Sequence, residues 1–176
     1  MRFTETSLPG AFEVDLDRLE DERGFFARSF CVREFEEHGL DPYVAQCNVS
    51  HNTRKGTLRG MHYQVAPAAE TKLVRCTRGA IYDVIIDLRP DSQTYCRWQS
   101  FELSAANARA LYIPEGFAHG FQTLQDDSDV LYQMSEYYAP GCARGVRWDD
   151  PVFNIKWPVD RPVMSEKDRS YGDFRP

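Results

Sequence analysis

The chain has 176 residues, with 42% hydrophobic and 27% charged side chains, enough to bury one sizeable core and too few for two full domains. Twenty-one basic against 27 acidic residues give a formal charge of −6, which disfavours nucleic acid as a partner. Aromatic residues reach 13%, a bias toward a β-rich fold or a ring-lined pocket.

In chain order, the first 22 residues carry no clear element, and the start lacks the apolar run of a secretion signal. Short strands are expected at Arg23–Phe30, Tyr43–Ser50, Leu58–Gln64, Lys72–Thr77, Ala80–Leu88, Cys96–Leu103, Ala110–Ile113, His119–Thr123 and Val130–Tyr138. Breakers such as Gly79, Pro90 and Pro114 separate them, the pattern of a sandwich or barrel. Helical spacing marks Val32–His38, and Ser165 is an N-cap before a short helix with acids in its first turn. The Pro-rich tail is expected to wrap the barrel, leaving one domain over residues 1–176. No apolar run is long enough to span a membrane. Five cysteines without a CxxC pair make a poor disulfide framework and a poor zinc site, so a cytoplasmic location is expected.

Two stretches join a histidine to rigid backbone punctuation: Gly56–Gln64 (GTLRGMHYQ) and Pro114–Phe121 (PEGFAHGF). They resemble the two motifs of the cupin barrel, a small double-sheet jelly roll. Metal-binding cupins carry HxH and a later Glu in the first motif. Here Gln64 stands at the second ligand position and Lys72 follows Glu70, a poor environment for a divalent cation. No metal is expected.

The wider pattern is more specific. RGFF (Arg23–Phe26), QxNxS (Gln46–Ser50), LRGMHYQ, KLVRCTRGAIYDVIIDLR (Lys72–Arg89), PEGFAHGF, RWDDP (Arg147–Pro151) and SEKD (Ser165–Asp168) resemble the dTDP-4-dehydrorhamnose 3,5-epimerase family in order and spacing over nearly the whole chain. The resemblance implies an all-β cupin-type barrel with short peripheral helices, working without cofactor as a cytoplasmic homodimer. The implied reaction inverts carbon centres beside the ketone of a nucleotide-linked 4-keto-6-deoxyhexose, at C3 and at C5 in some members.

Such chemistry needs a base of near-neutral pKa, a cation for the enolate oxygen and an acid on the opposite face. The resemblance gives these roles to His62, Lys72 and Tyr132, with Asp168 as the partner of His62. To the substrate it assigns Arg23, Arg28, Gln46, Asn48, Arg59, His119, Tyr138 and Lys167. Arg23 and Arg59 fall at the diphosphate and Tyr138 against the base. Read singly, His62 would be a structural strand histidine, Tyr132 a core aromatic and Asp168 the acid of a capping box. Lys72 differs, because its phase with Val74 and Cys76 turns it inward, and a buried lysine needs a reason. Arg59 and His62 have opposite parity on an ideal strand, so both reach one pocket only across an irregularity, for which Gly60 is the candidate.

Three positions depart from the family pattern: Arg28 replaces a Glu, Cys47 an Asp and Ala143 an acid. They put the thymidine in question and leave CDP or another nucleotide open. The alternatives are a keto-isomerase, which shares the enediol-like chemistry, and a non-catalytic sugar-nucleotide-binding cupin. The set His62, Lys72, Tyr132 and Asp168 argues for epimerisation against both.

Overall fold

Inward-facing Val, Ile, Leu and Phe alternate with outward residues along most of the chain, and a period of two makes strands that share one buried face. The computed structural model describes residues 1–175. Its strands are β1 (Arg2–Glu5), β2 (Phe12–Asp15), β3 (Leu19–Asp21), β4 (Gly24–Phe26), β5 (Gln46–Asn52), β6 (Leu58–Gln64) and β7 (Lys72–Arg78). They continue with β8 (Ala80–Asp87), β9 (Trp98–Ser104), β10 (Ala110–Ile113), β11 (Phe117–Thr123), β12 (Ser128–Met134) and β13 (Ala143–Gly145). Two short helices, α1 (Val32–Glu37) and α2 (Glu166–Arg169), complete the fold.

Strands β5 to β12 form two antiparallel sheets in the orders β5-β12-β7-β10 and β6-β11-β8-β9, the interleaving of a jelly roll. β2 and β1 extend the first sheet beyond β10, and β13 extends the second beyond β6. Between the sheets lie Val74, Cys76, Ile81, Ile85, Phe101, Leu103, Leu111, Ile113, Phe117, Phe121 and Val130. The inner row of each strand changes character along its length. On β7 it runs Lys72, Val74, Cys76, and facing these on β12 it runs Met134, Tyr132, Val130. One end of the barrel is therefore packed with hydrocarbon and the other carries polar groups. The fold needs both.

The outer faces are covered as well. α1 inserts Phe35 against Val14, Leu73, Ala110 and Tyr112 on the six-stranded sheet, a burial worth about 2–3 kcal/mol. Phe153, Ile155 and Val146 cover Met61, Val84 and Ile86 on the other sheet. The Pro-rich tail does lie on the barrel: Val159 exchanges hydrogen bonds with the Gln122 amide, and Val163 exchanges backbone hydrogen bonds with Gly56 and Leu58. Among the described residues no helix is long and apolar enough to cross a membrane.

Several expected boundaries move. In place of one strand at Arg23–Phe30 there is a small hairpin, β3–β4, which turns through Glu22 and Arg23 and pairs with neither large sheet. β12 stops at Met134 rather than Tyr138, because its neighbours β5 and β7 run out there, at Gln46 and Lys72. β5 runs from Gln46 instead of Tyr43, and β9 begins only at Trp98, after Cys96 takes a positive φ of 63°. β1, β2, β3 and β13 have no counterpart in the pattern reading. All are short, only Val14 among their residues is fully buried, and strands of three or four residues leave little periodicity to detect.

The irregularity expected at Gly60 is present. On β6, His62 pairs with His119 and Arg59 with Phe121, so three steps on one strand match two on β11. Gly60 has φ +123°, and a Cβ there would stand 2.6 Å from Gly120 Cα and 2.8 Å from the His119 carbonyl oxygen. Gly60→Ala is therefore expected to destabilise the fold by about 3 kcal/mol, read as a lowered urea midpoint. A midpoint within experimental error of wild type would show that the strands can part without cost.

Candidate active site

The polar end of the barrel opens into a cavity of about 750 Å³. His62 and Arg59 enter from β6, His119 from β11, Lys72 from β7, Tyr132 from β12, and Gln46 and Asn48 from β5. The segment after the barrel adds Lys167, Asp168 and Tyr171, and the stretch beyond β12 adds Tyr138. Ten of the twelve expected site residues thus share one cavity.

His62 Nε2 lies 2.7 Å from Asp168 Oδ1, and the other oxygen of Asp168 accepts the Gly60 N–H at 3.3 Å. The capping question has a clear structural answer. Ser165 Oγ accepts the Asp168 N–H at 3.1 Å, so Ser165 caps α2, while the Asp168 side chain turns away to the histidine. Burial pushes the Asp168 carboxyl up, but the hydrogen bond and charge of His62, with Gly60 and Ser165, outweigh it and hold it below the usual carboxylate range.

A second pair stands beside the first. His119 Nε2 lies 2.8 Å from Asp83 Oδ2, both deeply buried, and the other oxygen of Asp83 has no hydrogen-bond partner among the described residues. Burial pushes the Asp83 carboxyl up against the pull of His119. Tyr132 comes edge-on to the His119 ring, 6.0 Å between centroids. Burial drives the Tyr132 phenol well above its ordinary range, and the nearby Asp83 carboxylate adds to this, so the hydroxyl stays protonated.

The cations are held by fixed partners. Arg59 donates from Nε to Asn52 Oδ1 at 2.8 Å, and Asn52 is itself anchored on the Ser128 carbonyl. Lys72 Nζ meets Glu70 Oε1 at 2.7 Å with both side chains buried. Arg144 and Lys167 join Arg59 and Lys72 in the lining, which gathers positive charge in an acidic protein.

Arg23 and Arg28 are not among the cavity residues of their own chain. Arg23 sits at the tip of the β3–β4 hairpin in an ion pair with Asp21, and Arg28 pairs with Glu34 at 2.8 Å. Of the departing positions only Ala143 lines the cavity, since Cys47 points outward from β5. Glu70, Arg144 and Tyr171 also line the cavity, although the sequence pattern does not mark them as site residues. Glu70 could have been found as the acid nearest an inward lysine; Tyr171, which lies on Gly145, had no local signal.

A histidine–carboxylate pair on one wall, facing an ammonium and a protonated phenol on the other, defines a cupin-type barrel built for proton transfer. The profile described as dTDP-4-dehydrorhamnose 3,5-epimerase matches residues 5–175. The dTDP-4-dehydrorhamnose 3,5-epimerase of Shigella flexneri is 44% identical over 169 residues, covering 96% of this chain and 93% of its own. A crystal structure of the Bacillus anthracis enzyme of that name, with TDP and pyrophosphate bound, superposes with a TM-score of 0.95 at 42% identity, over 98% and 99% of the two chains. A dTDP-4-dehydrorhamnose 3-epimerase from Streptomyces niveus is 36% identical, over 96% of this chain and 82% of its own. The chain belongs to the dTDP-4-dehydrorhamnose 3,5-epimerase family and is an isomerase.

An ionised Asp168 stabilises the fold fully above the carboxylate pKa of the unfolded chain, near 4, and the contribution is lost as pH falls through its lower folded value. Asp168→Asn is therefore expected to flatten part of the fall in melting temperature between roughly pH 5 and pH 2. An equally steep fall in the variant would mean that Asp168 is not held as an ionised partner.

Proposed function

We propose that this protein epimerises a dTDP-linked 4-keto-6-deoxyhexose at C3 and C5, with His62 as base, Lys72 as the cation at the ketone oxygen and Tyr132 as acid. One observation carries the reading: His62 stands on the five-stranded sheet and Tyr132 on the six-stranded sheet, on opposite walls of one cavity. A proton removed from one face of the sugar is then replaced on the other, which is inversion. Asp168 fixes the imidazole tautomer and offsets the charge it acquires on taking the proton. Electron density moves onto the carbonyl oxygen, where the Lys72 ammonium stabilises the enolate. The buried phenol of Tyr132, protonated before the step, supplies the proton to carbon. The phenolate left behind regains a proton from solvent, and His62 gives its own up to solvent, before the next inversion. His119, held by Asp83, contacts the sugar. Arg59 and Lys167 bind the diphosphate, Tyr138 stacks on the base, and Gln46 and Asn48 bind the substrate from β5. The dTDP assignment rests on the names of the relatives and on two of the three departing positions lying off the cavity wall.

The decisive experiment supplies dTDP-4-keto-6-deoxyglucose in D2O and follows deuterium entry and product stereochemistry by NMR. Wild type exchanges at C3 and C5 with inversion. His62→Asn loses exchange, whereas Tyr132→Phe keeps exchange on the His62 face and loses inversion. Full exchange in His62→Asn would overturn the assignment of the base.

The functional unit is a homodimer in this proposal. The β3–β4 hairpin presents Leu19 at 69% and Phe26 at 74% exposure, unusual for an isolated surface hairpin. β5 is the free edge of its sheet and carries Val49 at 69% exposure. A second copy that buries both patches would carry Arg23 toward the neighbouring cavity, where its guanidinium suits a diphosphate. Light scattering should find a dimer at micromolar concentration and a monomer after Phe25→Ser with Phe26→Ser. A monomeric wild type would overturn the dimer.

A further inference from the structure

Glu70 has no part in the chemistry described so far, yet it lies buried against the central cation of the cavity. Its Oε1 is 2.7 Å from Lys72 Nζ, and its Oε2 accepts Gln64 Nε2 at 2.9 Å. Both carboxylate oxygens are thus engaged. Gln64 is pinned in turn: the two hydrogens of Nε2 are shared among Glu70 and the carbonyls of Ala68 at 2.9 Å and Tyr137 at 3.2 Å, and Oε1 accepts the Ala139 N–H at 2.7 Å. The acceptor that meets Lys72 is therefore fixed through Gln64 to the backbone on both sides of Tyr138.

A lysine ammonium is a point charge on a flexible stem with several rotamers. It stabilises a developing oxyanion without reorganisation only if something else holds it in place. Hydrogen bonding to Glu70 occupies one of its three donors and leaves the others for a ligand. We propose that Glu70 is a positioning residue for Lys72, holding the ammonium where the charge of the enolate develops. The inference rests on the reading of Lys72 as the cation of the reaction. What Glu70 supplies to Lys72 is an oxygen acceptor at a fixed point. An amide keeps one such oxygen but turns its NH2 toward Gln64 Nε2, so it should restore only part of the function.

Steady-state kinetics on dTDP-4-keto-6-deoxyglucose with Glu70→Ala, Glu70→Gln, Lys72→Met and the double variant Glu70→Ala/Lys72→Met tests this, with dTDP affinity measured by calorimetry. Glu70→Ala is expected to lower kcat by about tenfold or more, with KM and dTDP affinity within about threefold of wild type, since the lost interaction belongs to the transition state. Glu70→Gln, which keeps one acceptor oxygen for Lys72, should have a kcat between those of Glu70→Ala and wild type. The double variant should be no slower than Lys72→Met. Should Glu70→Ala fail to fold, Glu70→Asp withdraws the acceptor by one methylene and should show the same loss of kcat. The proposal is overturned by a wild-type kcat in Glu70→Ala (or in Glu70→Asp when it stands in), by no recovery in Glu70→Gln, or by a further loss when Glu70→Ala is added to Lys72→Met. Lys72→Met with full kcat would instead remove the reading of Lys72 itself.

Discussion

The site depends on one close approach of backbone to backbone, where Gly60 on β6 meets Gly120 on β11. Neither residue tolerates a Cβ: one at Gly60 would meet Gly120 Cα at 2.6 Å, and one at Gly120 would meet the Arg59 carbonyl oxygen at 2.8 Å. The extra residue that β6 carries here reverses the parity of the strand. Arg59 and His62, which a regular strand would send to opposite faces, both reach the cavity as a result. The same distortion sets His62 across from His119 and turns the Gly60 N–H toward Asp168. A local departure from ideal β geometry thus organises a histidine, its carboxylate and a guanidinium together.

Charge pairing is what allows a polar end inside the barrel. Lys72 with Glu70, His119 with Asp83 and His62 with Asp168 each place a cationic or protonatable group against a carboxylate. Burying any one partner alone would be costly, so these residues hold one another in place as well as preparing for chemistry. The arrangement leaves the barrel divided. Its apolar half resists deformation, and its polar half sits on the ends of the same strands, so the functional groups inherit the rigidity of the core.

Much of this was legible in the sequence, for reasons that differ by residue. Long buried strands such as β8, with Ile81, Val84, Ile85 and Ile86, announce themselves through continuous apolar patterning. Lys72 stood out because its phase placed it inward, and Gly60 because two functional residues had wrong parity around it. The pattern at Arg23–Phe30 suggests one strand where only β4 forms, because exposed Phe25 and Phe26 mimic a buried pattern, and β3 at Leu19–Asp21 leaves no such signal. The Ser165 cap was readable, but the side-chain direction of Asp168 was not, since it depends on a histidine 106 positions away. Tyr171 was invisible for the same reason: nothing local ties it to Gly145 or to the cavity.

That long sequence separation between His62 and Asp168 has a consequence for how activity is distributed over the ensemble. The carboxylate rides on α2, a helix of four residues with a single buried side chain, outside the sheets. Segments of this kind open at a lower free energy than central strands do. Detachment of the tail would strip His62 of its partner while leaving both sheets intact. Under the proposed mechanism, the fraction of molecules competent for catalysis is set by the docking of a short peptide onto a finished barrel, and heat or denaturant should silence the molecule before it melts.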